Sequence, residues 1–227
     1  MGDSWYDKLG VVDLETTGID VESSRIVSAY VGVIDSVGAP KGVAWLADPG
    51  IEIPAGASAV HGITTERARA EGRPAEEVIA EIVSVLRVLI AQGVPITIYN
   101  APYDLTLLNR EAIRYGIEPL DMPGPIIDPL VLDKAMDTFR KGKRTLATAA
   151  DVYGVELMDA HDATADAVAA GRVAQAIARK FADELGDNIT VLHTRQVQWC
   201  ADQAASFQSF KRRTSPDFVA DGAWPQR

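Results

Sequence analysis

Runs of apolar residues, broken by short polar stretches, predict most of the elements of this chain. Residues 9–14 read as a buried strand, "RIVSAYVGVID" at 25–35 as a second and "GVAWLA" at 42–47 as a third. The linkers between them are short, which predicts an antiparallel meander. A loop with Pro49, Pro54 and Gly56 is expected next, carrying "VHGITTE". Over 75–91, Ile79, Ile82, Val83, Leu86, Leu89 and Ile90 recur at helical spacing, so a helix is expected there. "VPITIYN" predicts another strand. Pro102 suits the first turn of a helix over 102–115, ended by Gly116.

Further on, "PIIDPLVLDKAMD" reads as a short strand running into a helix, and "LATAADVYG" as a short helix closed by Gly154. Residues 163–185 predict a long Ala-rich helix that stops near Gly186. Residues 187–211 read as one more helix, with an aromatic stripe of Trp199, Phe207 and Phe210 expected to pack as core. The last residues look irregular. The sum is an α/β fold: a mixed five-stranded sheet, antiparallel meander plus parallel strands, flanked by helices. The expected division is one domain over 1–186 and a helical tail over 187–227, packed on it.

The pattern breaks at "VVDLETTGID", residues 11–20. Asp13 and Glu15 stand two apart on a strand, so both point to one face while Leu14 points to the other. Two ionised carboxylates side by side are costly to bury without a positive partner. A strand end dipping into solvent would explain the pair by itself. Other acids stand in comparable places, however. Asp104 falls in the first turn after "ITIYN", where an acid also favours a helix N-terminus. Asp166 follows His161 by five residues on the long helix, with Asp162 placed as its N-cap. If these acids converge, hard divalent cations with oxygen ligands, Mg²⁺ or Mn²⁺, would balance them. Two such ions are the usual device for attack on a phosphodiester.

Composition changes this picture little. The 227 residues are 47% hydrophobic and 24% charged, enough for a real core. The net charge of −10 argues against a broad nucleic-acid-binding surface but leaves room for a local, metal-balanced site. A single cysteine, Cys200, excludes an internal disulfide and suits a reducing compartment. The opening "MGDSWYDKLG" has neither a basic nor an apolar leader segment. The longest apolar run, "IVSVLRVLIA", is interrupted by Arg87 and too short for a bilayer. A cytoplasmic protein without membrane contact is expected.

"VVDLETTG", "YNAPYDLTLL" and "HDATADA" occur in the order and approximate spacing of the three motifs of the DnaQ-like DEDDh 3′–5′ exonucleases, and "VHGIT" resembles a further segment of that family. The resemblance runs from about residue 9 to 180. It implies a ribonuclease H-like fold, with Asp13, Glu15, Asp104 and Asp166 as ligands of two ions and His161 as general base. Imidazole as a class is a base suited to neutral pH. The resemblance also implies that Leu14, Thr16, Thr17, Gly18, His61, Asn100 and Tyr103 surround the terminal nucleotide. The product would be a nucleoside 5′-monophosphate released from a 3′ end. Single-stranded DNA is the favoured substrate. The alternatives are an exoribonuclease of the oligoribonuclease or ribonuclease T type and a polymerase-associated proofreading subunit whose main role is partner binding.

Tyr99 and Tyr103 depart from the family's usual His and Phe, which implies a changed hold on the nucleotide. Thr17 reads equally well as part of a turn. His61 reads as organising its loop rather than binding metal, and His193 as a surface residue. "FRKGKRT" brings Arg140, Lys141, Lys143 and Arg144 together, either as a solvated loop or as a phosphate contact. "QAASFQSF" shows a partial likeness to the peptides that hold a sliding clamp, though helical periodicity accounts for Phe207 and Phe210 equally well.

Overall fold

Leu9, Val11 and Val12 are almost wholly shut off from solvent, and they make Lys8–Thr16 (β1) the spine of a sheet. Ile26–Asp35 (β2) and Lys41–Asp48 (β3) follow as the expected antiparallel meander. The computed structural model describes residues 4–120, 124–157 and 161–227. The remaining described elements, in chain order, are Ala55–His61 (α1), Thr65–Glu71 (α2), Arg73–Pro74 (β4), Ala75–Ala91 (α3), Ile96–Thr97 (β5), Ala101–Arg114 (α4), Ile126–Ile127 (β6), Pro129–Met136 (α5), Leu146–Tyr153 (α6), Ala163–Lys180 (α7), Ala182–Leu185 (α8) and Ile189–Lys211 (α9).

The sheet order is β4-β3-β2-β1-β5-β6. β5 pairs parallel with β1, and β6 parallel with β5, so the carboxyl ends of these strands lie side by side. Five of the strands are those expected. The sixth, β4, adds two residues beside the end of β3, Ala47 against Arg73 and Asp48 against Pro74. So short a piece at a sheet edge, with a proline in it, carries no readable alternation.

Three further expectations change. The segment "VHGITTE" is no plain loop. It joins α1 to α2 through Gly62 in the left-handed conformation (φ 72°), and Thr64 caps α2 by accepting the Arg67 amide. Helices of seven residues are too short to show a 3.6-residue period. The long helix expected over 163–185 breaks at Phe181 (φ −122°, ψ 38°), which separates α7 from α8. His193 is half-buried rather than superficial. Its Nδ1 accepts the Ile126 amide at 3.1 Å, and its ring centre lies 5.0 Å from that of Trp224.

Helices cover both faces of the sheet. Val12, Leu14 and Ile96 pack with α3 and α4 on one side, whereas Leu9, Val11 and Ile127 pack with α5, α6 and α7 on the other. α7 approaches the sheet unusually closely because it presents Ala167, Ala170, Gly171 and Ala174, all nearly free of solvent contact. A Cβ built on Gly171 would stand 2.5 Å from both Ile34 Cδ1 and Val11 Cγ1. Only a glycine lets the helix axis sit this near β1.

Residues beyond 187 pack back on this framework. Leu192 and Gln196 are the buried residues of α9. The Gln196 amide accepts the Asp128 N–H at 2.8 Å and donates to the Ile126 carbonyl at 2.9 Å. Trp224 is buried, and its indole donates to Asp128 at 3.3 Å. The expected aromatic stripe is only partly core. Trp199 is half-buried, but Phe207 and Phe210 are 50% and 61% exposed. Among the described residues, no helix is long and apolar enough to cross a membrane.

Candidate active site

Each acid singled out in the sequence stands at the end of an element. β1 carries Asp13 and Glu15 on its α7-facing side and ends in a register shift between Glu15 and Thr16. Such bulges redirect side chains at the rims of sheets. α4 starts at Asn100, which holds the left-handed conformation (φ 66°), and places Asp104 in its first turn at 5% exposure. α7 starts at Asp162, whose Oδ1 accepts the amides of Thr164 (3.0 Å) and Ala165 (3.1 Å). Asp166 lies in that first turn.

His161 precedes the cap with φ 73°, a region uncommon for a residue with a side chain. Its backbone N–H donates to Asp166 Oδ2 at 3.1 Å. Asp166 Oδ1 is buried and has no hydrogen-bond partner. One ligand atom each from Glu15, His161 and Asp166 lie within 4.8 Å of one another.

Asp13 and Asp104 lie outside that group of three and are tied to it by their charges. Burial pushes the Asp13 carboxyl well above the ordinary carboxylate range, and the charges of Asp104, Glu15, Asp166 and Asp162 push it further. Burial likewise raises Asp104. Its own amide and that of Leu14 oppose the rise, while the charges of Asp128 and Glu15 reinforce it. Burial, then Asp166 and Asp162, bring Glu15 to about 7. Asp166 is raised mainly by burial. Carboxyls this close and this dry cannot all ionise unless a cation joins them. The donors are mostly carboxylate oxygens, the set preferred by hard divalent ions. The unpartnered Asp166 Oδ1 is an acceptor left open for one. The residues present therefore fit a metal site.

The residues after β1 shape the floor beside these acids. The Thr16 hydroxyl donates to the Gly18 carbonyl at 2.8 Å and lies 2.6 Å from the Tyr103 hydroxyl, which also donates to Gly18. Two protons serve three close contacts, so the triangle is tight and anchors the turn to α4. A phenylalanine at 103 would leave this tie unmade. Tyr99, the other departure from the family pattern, donates its hydroxyl to the Arg144 carbonyl at 2.7 Å. Thr17 is buried and accepts the Arg25 amide at 2.9 Å, which is the turn role. The Leu14 side chain lies in the core on the opposite face.

His61 ends α1, and its Nδ1 accepts the Ile63 amide at 3.2 Å, so it does organise its loop. It also faces the site. With His161, Trp45 and Thr164 it lines a cleft of about 310 Å³. Burial lowers its pKa, as does the charge of His161.

The basic loop divides. Arg140 and Arg144 both bond to the fully buried Asp133, Arg144 at 3.0 Å, and the Tyr153 hydroxyl adds a bond of 2.8 Å. Burial alone would raise Asp133, but these three donors hold it below its ordinary value. Arg140 and Arg144 are therefore a staple for the loop. Lys141 and Lys143 are exposed and make no ion pair among the described residues.

Two residues important to this geometry went unrecognised in the sequence. Asp128 is 1% exposed and gathers the amides of Asn100, Ala101 and Leu130, each at 3.0 Å. It ties the start of α4, and so Asp104, to the start of α5. The signal was present in "IIDP", an acid before a proline at a helix start. Gly171 had no such signal, because a glycine inside a helix is ambiguous until its neighbours are known.

The family model described as Exonuclease (RNase_T) matches residues 11–174. No curated protein sequence matches the chain at a significant level. Among solved structures, exonuclease I of E. coli bound to a dA16 oligonucleotide is similar at a TM-score of 0.67 and 22% identity, over 78% of this chain and 42% of that one. The zinc-bound form of the E. coli exonuclease I–ssDNA complex gives 0.65 and 23%, over 77% and 41%. The ExoI/SSB-Ct complex gives 0.64 and 22%, over 78% and 42%. The chain thus spans about two-fifths of the length of these proteins, and at such identities the likeness speaks for the fold. The matched span contains both acids of β1, Asp104 of α4 and the His161–Asp166 pair of α7. On that match, and on the ribonuclease H-like sheet that carries it, the chain belongs to the DnaQ-like exonuclease family.

Proposed function

We propose that this chain is a metal-dependent 3′–5′ exonuclease that releases nucleoside 5′-monophosphates from single-stranded DNA. The observation that carries this reading is the convergence of Asp13, Glu15, Asp104 and Asp166 beside His161, with Asp166 Oδ1 buried and unpartnered. Those four acids would hold Mg²⁺ or Mn²⁺. Bound there, such ions supply acidified water and neutralise charge on the phosphate.

The chain's own groups do the rest. His161 accepts the proton of the attacking water. Its ring stands among Glu15 and Asp166, while its amide is fixed to the Asp166 carboxylate. The Thr16–Gly18–Tyr103 triangle holds the turn against which the terminal nucleotide rests. Asn100, with its side chain free of a capping role, stands at the head of α4 for contact with the sugar or base. DNA is favoured over RNA because the similar solved structures hold single-stranded DNA oligonucleotides.

The test uses matched 5′-labelled DNA and RNA oligomers with Mg²⁺, with EDTA, and with an Asp13→Ala variant. A ladder that shortens from the 3′ end of DNA, and disappears both in EDTA and in the variant, is expected. Undiminished cleavage in EDTA would overturn the metal mechanism, and degradation confined to RNA would overturn the substrate assignment.

A further inference from the structure

We propose that the trough between α5 and α9 is the track that carries the single-stranded substrate upstream of its 3′ end. The inference rests on the exonuclease reading and adds where the strand runs.

Position is the first argument. β1, β5 and β6 are adjacent and parallel, so their carboxyl ends form one ledge. The acids stand at the ends of β1 and β5, and the trough opens at the end of β6. At the usual strand spacing this is about 10 Å away. A cavity of about 460 Å³ begins at Asn100 and Pro102, the head of the helix that bears Asp104, and extends to Phe207 and Phe218. A second, of about 910 Å³, continues past Phe207 to Phe210 and Gly142. The two share Lys134, Gln203 and Phe207, which makes them one continuous depression.

The second argument is chemistry. Phe207 and Phe210 are three residues apart on α9, so they share a face, and both are largely exposed. Lys211 lies 5.8 Å from the Phe207 ring centre, and Arg213 5.8 Å from that of Phe210. Lys134 lines both cavities, Lys141 and Lys143 flank the Gly142 that lines the second, and none of the three makes an ion pair among the described residues. Of the acids of the trough, one is ion-paired, one is bonded to a neutral amide and keeps its charge, and one is buried. Asp221 pairs with Arg227 at 3.5 Å, Asp202 accepts from Gln198 at 2.8 Å, and Asp128 is saturated by amides. Phe207 also packs edge-on against Phe218, ring centres 5.4 Å apart. In a chain of net charge −10, this strip of cations and solvent-exposed rings runs against the composition. Exposed rings beside cationic side chains are the general means of holding single strands without regard to sequence. The charge complementarity and the start of the trough at the head of α4 favour a nucleic-acid strand over a protein partner.

The test compares the wild type with a Phe207→Ala/Phe210→Ala double variant and a Lys134→Gln/Lys141→Gln/Lys143→Gln triple variant. Binding of labelled DNA oligomers of about 4 and about 20 nucleotides is measured in EDTA, with cleavage followed separately in Mg²⁺. The wild type should bind the long oligomer more tightly. The double variant should weaken that binding at least about five-fold, the low end for loss of one stacked base, and cleave the short oligomer as the wild type does. The triple variant should show a shallower dependence of long-oligomer binding on salt. Length-dependent binding that disappears in the double variant supports the track even if no cleavage is seen, an outcome that would sink only the exonuclease reading. Unaltered affinity of both variants for the long oligomer overturns the track. So does capture of a labelled Glu/Phe-rich peptide at the trough with oligomer affinity unchanged, which would make it a protein-docking surface.

Discussion

At the scale of single residues, His161 sets two demands against each other. Its left-handed backbone stores strain, of the kind that costs ~1–3 kcal/mol, and the chain keeps it there with a bond from its amide to Asp166. The strain is explained if the imidazole must reach the acids. A base that takes a proton in the rate-determining step typically contributes ~10²–10⁴-fold. His161→Ala should therefore lower kcat by that range while Mn²⁺ affinity, measured by calorimetry, changes only a few-fold. A parallel collapse of Mn²⁺ affinity would instead make His161 a ligand. The place of this residue beside Asp166 was readable from "HDATADA". The alternation that puts Asp13 and Glu15 on one face was readable as well, since a period of two needs no tertiary information. The engagement of Arg140 and Arg144 by Asp133 was not, because the partner lies on a preceding helix and a run of charges looks solvated until that helix is placed.

At the scale of elements, legibility followed length. α3 spans Ala75–Ala91, the range its apolar spacing predicts, because 17 residues display several turns of periodicity. α1 and α2 display one or two turns each and went unseen, while β5 and β6, only two residues each, were recognisable through their apolar neighbours. What no pattern shows is how near two elements come. The closeness of α7 to β1 is set by Gly171, and it determines whether Asp166 reaches Asp13 and Glu15 at all. Gly171→Ala adds a Cβ at 2.5 Å from the ends of Ile34 and Val11. Those methyl groups can yield by changing rotamer, so the helix should shift without unfolding. The expected cost is about 1–3 kcal/mol of stability. Activity should fall further than that loss explains, because the acids are spread apart. Wild-type turnover in a folded Gly171→Ala protein would show that the spacing of α7 does not govern the site.

At the scale of the whole molecule, a metal held by the acid cluster would become a part of the fold's stability, and pH would reveal it. Asp13, Glu15, Asp104, Asp128 and Asp166 all titrate above their unfolded values, each raised chiefly by burial. A carboxyl with a raised folded pKa leaves the native state binding more protons than the unfolded chain. Its contribution is full below the unfolded pKa, near 4, and is lost as pH rises through the folded one. For Glu15 that loss runs from about pH 4.5 to about 7, and its last part falls just above 7. Asp133 and Glu81 are held low, Glu81 at about 2 chiefly by its bonds to Arg73 and Trp45, so they stay ionised here and add no slope. His61 and His193, lowered mainly by burial, oppose the trend only under about pH 6.5, where they would charge on unfolding. In EDTA, Tm should therefore fall between about pH 6.5 and 8.5. Glu15 alone accounts for on the order of 1 kcal/mol across that window, less whatever solvent screens, and Asp13 and Asp104 add to it. For a chain of this length each kcal/mol is about 2–4 °C. Mn²⁺ binds only the native cluster and only when its acids are ionised, so saturating metal should flatten or reverse the slope. Equal slopes with and without metal, followed by thermal unfolding, would mean that these carboxyls do not act together on a cation.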